Sequence, residues 1–213
     1  MSQSPLLQRV VFCDFDGTIT AIETFAGMLK EFSPELSAKI MPEMYARRLT
    51  LRAGVRQLLE SIPSSRYSEI LDYATDKPIR PGLQELLDFL EAEKVPFIII
   101  SGGLRAMVET VLNHHNLMGK VTDISAVDVE TNREYLQVYS EFEGDTELVD
   151  KVRVMANYPA QKTIAIGDSL TDINMALKAD LVFARDRLVD YLEAEGKFYL
   201  PWQDFFDVLN SLK

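Results

Sequence analysis

The most constraining feature of this chain is an apolar run that ends in acid. Residues 9–15, Arg-Val-Val-Phe-Cys-Asp-Phe, lead at once into Asp16-Gly17-Thr18. Consecutive apolar residues without polar alternation belong to a strand covered on both faces, as in a parallel sheet, and the carboxylates mark where that strand leaves the core. Three further runs of this kind follow, at 96–101, 162–167 and 180–184, each flanked by helical periodicity. Alternating β and α elements predict an α/β fold built on a doubly wound parallel sheet.

Roughly eighty residues separate the first two strands, where a crossover needs only about a dozen. Residues 22–31, 35–46, 51–61 and 67–75 read as four helices, punctuated by Ser33-Pro34, Thr50 and Pro63-Ser64. The expected organisation is therefore a helical cap domain over 21–78 inserted into a core formed by 1–20 and 79–213. A crossover helix over 81–93 is expected to begin with Pro81 in its first turn and to bury Leu83, Leu86, Leu87 and Leu90. In residues 121–142 the alternation Ser125, Val127, Val129 and Leu136, Val138, Ser140 around Thr131-Asn132-Arg133 predicts an antiparallel β-hairpin appended to the sheet. Residues 202–212 read as a closing amphipathic helix with Phe205, Phe206, Leu209 and Leu212 inward.

Composition narrows the function. With 22 Lys+Arg against 33 Asp+Glu the net charge is −11, and no clustered basic face is visible, so no nucleic-acid partner is expected. The apolar runs are far shorter than the roughly 20 residues of a membrane span, and the N-terminus lacks the pattern of a secretory leader. A cytoplasmic protein acting on a small polar partner, with no membrane contact, is the expectation. One cysteine, Cys13, and two histidines leave too few soft ligands for a structural zinc site, so any metal must be oxygen-bound.

In an open α/β sheet, ligands bind beyond the carboxyl ends of the strands. This sequence places Asp14, Asp16 and Thr18 at one such end, Ser101, Gly102 and Gly103 at a second, and Asp168, Ser169 and Asp172 at a third. Four converging carboxylates repel one another unless a cation joins them. An all-oxygen donor set without imidazole points to Mg²⁺.

The string Asp14-Phe15-Asp16-Gly17-Thr18 resembles the first motif, DxDG[TS], of the haloacid-dehalogenase-like phosphatases. A Ser closing the next strand (Ser101), a Lys (Lys151) and a GDxxxD string (Gly167-Asp168 to Asp172) match its other three motifs in order. The resemblance implies that Asp14 attacks phosphorus to form an aspartyl-phosphate and that Asp16 is general acid and then base. It implies Mg²⁺ on Asp14, the backbone carbonyl of Asp16 and Asp168, with Asp172 orienting the metal's shell, and phosphate oxygens held by Thr18, Ser101 and Lys151. Gly102 and Gly103 would let backbone N–H groups at the start of a helix over 104–114 approach the dianion.

Simpler readings stand beside these. Asp16-Gly17 serves equally as a turn, and Ser169 and Asp172 are spaced as a capping box. Lys162 competes with Lys151 but begins a strand at its wrong end. Cys13 reads as a small core hydrophobe, and His114-His115 as a helix C-terminus.

A helical cap directly after the first motif resembles the subgroup containing the phosphoserine phosphatases and the methionine-salvage phosphatases of 2-hydroxy-3-keto-5-methylthiopentenyl 1-phosphate. The second group shares more local text: Ser101-Gly102-Gly103, Gly54-Val55 with Pro63-Ser64-Ser65, Phe183-Ala184-Arg185-Asp186, and Leu200-Pro201 with Gln203-Asp204-Phe205. The acidic stretch from Glu141 to Asp150 replaces a cysteine-rich one found in at least some of those enzymes. In the phosphoserine phosphatases a Glu nine residues past the nucleophile pairs with the substrate ammonium, and Glu23 holds that spacing. Their carboxylate-binding Arg is matched here by Gly54, with Arg52 and Arg56 nearby. Phe25, Met28, Met44 and Tyr45 suit a thioether tail instead, although they and Met41 also read as plain helical core. The expected substrate is a small phosphorylated metabolite of the methionine-salvage type; a phosphoserine phosphatase or a non-catalytic binding protein of the same fold are the alternatives.

Overall fold

The computed structural model describes residues 6–213; the first five, over which the reading of the N-terminus also ran, lie outside them. A seven-stranded sheet has β1 (Leu7–Cys13) at its centre. On one side lie β2 (Phe97–Leu104), β3 (Asp123–Glu130) and β4 (Gln137–Tyr139); on the other lie β5 (Ala160–Gly167), β6 (Leu181–Ala184) and β7 (Leu200–Pro201). All neighbours pair parallel except β3 and β4. Residues Val10 to Cys13 are fully buried, as the unbroken apolar run requires of a strand covered on both faces. The strand order reverses direction at β1, and this switch point opens a crevice beyond the ends of β1, β2 and β5.

Four helices intervene between β1 and β2: α1 (Thr24–Phe32), α2 (Pro34–Tyr45), α3 (Leu51–Leu59) and α4 (Tyr67–Thr75). Pro34 occupies the first turn of α2, and the Thr50 hydroxyl caps α3 by accepting from Ala53 N at 3.1 Å. Their inward faces bury Met28, Leu58, Leu59, Ile70 and Ala74 completely, together with Ile62 between α3 and α4. The chain enters and leaves this insertion through a short antiparallel ribbon. Thr20 bridges Ile79, Ala21 N donates to Pro78 O at 2.8 Å, and Arg80 N donates to Ile19 O at 2.8 Å.

The remaining helices are α5 (Leu83–Ala92), α6 (Arg105–His114), α7 (Lys151–Ala156), α8 (Ile173–Lys178), α9 (Asp186–Ala194) and α10 (Phe205–Leu212). The expected stripe Leu83, Leu86, Leu87 and Leu90 on α5 is buried, and α6 ends at the histidine pair. Pro81, however, stands outside α5. Gly82 takes φ +82°, a left-handed conformation incompatible with regular helix, so α5 starts at Leu83, two residues later than expected.

The expected antiparallel hairpin is present at the sheet edge, β3 pairing with β4 from Asp128 to Glu130, and β3 also pairs parallel with β2 along its first half, so the hairpin's first arm is an integral strand of the sheet. Ile124 and Ala126 are buried along with Ser125 and Val127, which a one-sided hairpin would not require. The inward face expected of the closing helix is corrected at one position, Phe206. Phe206 is 41% exposed, because Asp204 caps α10 by accepting from Phe206 N and so sets a phase that turns Phe205, Val208 and Leu209 inward.

Candidate active site

The site assembles where β1 and β5 end. Asp14 N donates to Ile166 O at 3.0 Å, which places the Asp14 carboxylate beside the β5 terminus. The chain then turns sharply, Ile19 N donating to Phe15 O at 2.9 Å and Gly17 N to the Thr20 hydroxyl at 3.1 Å. Gly17 is obligatory twice over. Its φ is +83°, and a Cβ there would stand 2.4 Å from Asp168 Oδ2. Gly167 is equally confined, since its Cβ would meet Asp172 Cγ at 2.7 Å.

Lys151 opens α7 under the cap of Asp150 and is only 2% exposed. Its Nζ donates to Asp14 Oδ1 at 2.5 Å and to Asp172 Oδ1 at 2.6 Å. The other Asp172 oxygen accepts from Asp168 N and Ser169 N, both at 3.0 Å. The capping box is thus real, and the residue that forms it also braces the lysine. Both readings of Asp172 hold together.

Burial and neighbouring charge shape the titration of these groups. Burial, then Asp172, push Asp14 up to about 7 against the opposing pull of Lys151. Burial followed by Asp14 and Asp172 push Asp168 up to about 9. Burial alone would lower Lys151, but Asp14 and Asp172 outweigh it and hold the ammonium charged. One carboxylate oxygen each from Asp14, Asp168 and Asp172 lie within 4.8 Å of one another. When ionised, the three carboxylates outnumber the single ammonium, and a divalent cation would neutralise their excess charge in this buried space. The donor set is hard oxygen throughout and fits such an ion.

Above these groups lies a cavity of about 440 Å³. Asp14, Asp16, Ser101, Gly102, Gly103, Lys151 and Asp168 face it from the sheet side. Ser101 Oγ accepts from Gly103 N at 3.0 Å, and β2 runs on through both glycines, so they are strand residues and α6 begins beyond them. Asp16 bends toward the insertion and accepts from Phe25 N at 2.7 Å and Ala26 N at 3.3 Å, at the start of α1. Burial dominates its titration and raises it to about 7, despite the opposing hydrogen bond from Phe25 N.

On the insertion side, of the residues named from sequence, Phe25, Met44, Tyr45 and the exposed Glu23 border the cavity, together with Leu29, Met41, Leu51 and Val55. Four expected site residues do not border it; one is Asp172, fully buried behind Lys151. Met28 is fully buried within the insertion, on the inward face of α1 that also buries Thr24 and Phe32. Arg52 Nε donates to Glu143 Oε1 at 2.6 Å, and Arg56 donates to both oxygens of the same carboxylate and to Val138 O, so the acidic loop absorbs both arginines. Thr18 is fully buried and its hydroxyl donates to Asp168 Oδ1 at 3.2 Å.

Sequence reasoning assigned no site role to five charged residues bordering the cavity: Arg80, Glu147, Arg185, Asp186 and Arg187. Arg80 donates to Gly17 O at 2.7 Å and Thr18 O at 3.1 Å, and its guanidinium lies 5.5 Å from the Trp202 ring centroid. Arg185 and Arg187 follow the end of β6, so applying the strand-end rule to that strand would have found them. Arg187 stacks over Tyr45 of α2, while Arg47, just past α2, stacks over Tyr191 of α9; two reciprocal cation–π contacts at 5.4 and 5.2 Å join the insertion to the core.

Residues 11–177 match the family model of the haloacid dehalogenase-like hydrolases. A protein of Microcystis aeruginosa (strain NIES-843 / IAM M-2473) named 2-hydroxy-3-keto-5-methylthiopentenyl-1-phosphate phosphatase is 64% identical over 206 residues, covering 97% of this chain and 98% of its own. One of the same name from Bacillus cereus (strain ATCC 10987 / NRS 248) is 31% identical over 211 residues, with 95% of each covered. Among solved structures, a phospho-aspartyl intermediate analogue of phosphoserine phosphatase superposes with a TM-score of 0.71 at 20% identity, covering 97% of this chain and 100% of the other. A substrate-bound phosphoserine phosphatase complex gives 0.71 at 18% identity with both chains fully covered. The chain belongs to the haloacid dehalogenase-like hydrolases and has their fold.

Proposed function

We propose that this haloacid dehalogenase-like hydrolase is a phosphatase that cleaves the enol phosphate 2-hydroxy-3-keto-5-methylthiopentenyl 1-phosphate through an aspartyl-phosphate on Asp14. The observation that carries the reading is the pairing of an acidic, lysine-braced strand end with an apolar wall of Leu29, Met41, Met44, Leu51 and Val55 across one cavity. The relatives of that name, one of them 64% identical, support the choice of substrate.

In the proposed reaction the Asp14 carboxylate forms a bond to phosphorus as the ester P–O bond breaks, and Asp16 gives its proton to the departing oxygen. Asp16 then takes a proton from a water that attacks phosphorus, releasing phosphate and restoring Asp14. A raised Asp16, protonated up to about neutral pH, suits the first step. Lys151, braced by Asp172, holds Asp14 in place directly, and Ser101 with Gly102 and Gly103 line the space for the phosphate oxygens. Asp14 and Asp168, with the Asp16 carbonyl, would hold Mg²⁺, which when bound neutralises charge on the phosphoryl group. Thr18 is better assigned to positioning Asp168 than to the phosphate, given where its hydroxyl points.

The proposed division is a core of 1–20 and 79–213 and a cap of 21–78 that excludes water from the reaction. The cytoplasm is the proposed setting; no helix among the described residues is long and apolar enough to cross a membrane.

Glu23, exposed at the cavity rim, favours a second reading as a phosphoserine phosphatase, since it would pair with a substrate ammonium. With Arg52 and Arg56 committed to Glu143, neither is free to receive a substrate carboxylate. Comparing kcat/KM for the methylthio enol phosphate and for phosphoserine at one Mg²⁺ concentration decides between them. A higher value for the enol phosphate is expected. A tenfold preference for phosphoserine, about 1.4 kcal/mol, would reverse the assignment.

A further inference from the structure

Gly54 sits inside α3, four residues past its cap, where glycine costs about 1 kcal/mol relative to alanine. Its N–H donates to Thr50 O at 3.0 Å in ordinary helical fashion, and its backbone is not left-handed, so no turn or strained dihedral calls for it. Space does. A Cβ at position 54 would stand 2.2 Å from Met44 Sδ, 2.5 Å from Met44 Cγ and 3.1 Å from Ile40 Cγ2. Met44 therefore lies in a notch that only glycine leaves open. The same side chain, 5% exposed, borders the cavity between Met41 of α2 and Leu51 and Val55 of α3. With α2 and α3 packed on one side of it, the open volume available to a displaced Met44 is the cavity itself.

We propose that Gly54, by seating Met44 in its notch, sets the depth of the apolar half of the cavity and so determines how long an unbranched thioether or alkyl tail the site accepts. This deepens the phosphatase reading by naming the specificity-determining pair, and it rests on that reading for the phosphate at the ligand's other end. Flanking residues fit the role: Leu51 and Val55, one helical turn apart, line the cavity while Gly54 between them faces α2. Any side chain at 54 turns the Met44 thioether out of its notch and shortens the cavity by the length of that tip.

The test uses n-alkyl phosphonates from ethyl to hexyl, which carry a phosphate-like head and cannot be hydrolysed, titrated calorimetrically into the full-length protein with Mg²⁺. For the unaltered chain, affinity is expected to rise about fourfold per added methylene until the wall is reached. In Gly54→Ala the rise should stop at least one methylene sooner. In Gly54→Ala/Met44→Ala it should return to the original length or beyond. Met44→Ala alone should extend the limit and stands as the deciding variant if Gly54→Ala does not fold. An unchanged limit in these variants, a flat profile in the unaltered protein, or no phosphonate binding at all overturns the inference. Hydrolysis of the matching n-alkyl phosphates separates this from the phosphatase reading. Length-dependent binding without any turnover would refute the enzyme and leave the depth rule standing; turnover with an unchanged limit would do the reverse.

Discussion

The sheet side and the insertion side of the cavity are built on opposite rules. At the strand ends nearly every polar atom has a named partner: both Asp172 oxygens are taken, Lys151 bridges two carboxylates, and the Thr18 hydroxyl is held on Asp168. Across from it the wall is made of Leu29, Met41, Met44, Leu51 and Val55, which have volume and no direction. Hydrogen-bonded networks of this kind tolerate almost no exchange, because each loss leaves a buried charge unpaired. Apolar walls accept substitution at the cost of a methylene or two. On the proposed reading, chemistry is therefore held rigid on one face, while selectivity on the other is open to small adjustment.

That contrast sets the order of expected effects. Asp14→Asn should abolish turnover and remove any acid-stable phosphoenzyme, since an amide does not replace the carboxylate nucleophile. Residual steady-state activity above background in purified protein would break the assignment. Asp16→Asn should cost about 10²- to 10⁴-fold on alkyl esters and far less on a p-nitrophenyl ester, whose leaving group needs no proton. Because Asp16 is raised to about 7, its acid form is present below that pH and lost above it. For alkyl esters kcat/KM should fall on the alkaline side of neutrality, and Asp16→Asn should lack that limb; identical pH profiles would contradict the acid role.

Lys151→Met leaves Asp14 and Asp172 buried without their cation and should lower stability by about 3–5 kcal/mol, read by urea unfolding. Lys151→Arg is expected to recover part of it. A Lys151→Met protein as stable as the parent would show that the strand-end network is not tightly interlocked. On the insertion side, Leu51→Val removes one methylene and should reduce kcat/KM for the methylthio substrate by only about fourfold, with stability nearly unchanged. A loss there as large as that of Asp16→Asn would erase the distinction between the two faces.

The two sides also differ in how far they could be read from residue order. At the strand ends the informative residues are neighbours in sequence, two to five positions apart, so Asp14-Phe15-Asp16-Gly17-Thr18 and Gly167-Asp168 to Asp172 carried their geometry with them. Lys151, the remote member, was legible because Lys162 sat at the wrong end of a strand. The four helices of the insertion were equally legible from their punctuation; α4 begins and ends at the expected residues. What residue order did not contain was how those helices turn about their axes against one another. Hence Met28 faces the interior of the insertion and Arg52 meets Glu143, a partner ninety-one positions away. Arg80 escaped notice for the same reason: its value lies in carbonyl groups sixty-two and sixty-three positions earlier. Local conformation moved other boundaries. The left-handed Gly82 displaced the start of α5, and the phase set by Asp204 exposed Phe206.

The ribbon at the base of the insertion has a mechanical consequence. The turn bearing Asp16 is gripped from two directions: its carboxylate is tied to the first residues of α1, on the outgoing path of the insertion, and its Gly17 and Thr18 carbonyls are tied to Arg80, on the return path. The four helices therefore do not hang from a slack tether. On the proposed assignment, a swing of the insertion would load the turn like a lever with both ends clamped, so that Asp16 and the helices above it would travel as one part, and the position of those helices would be felt at the strand end without any ligand to relay it.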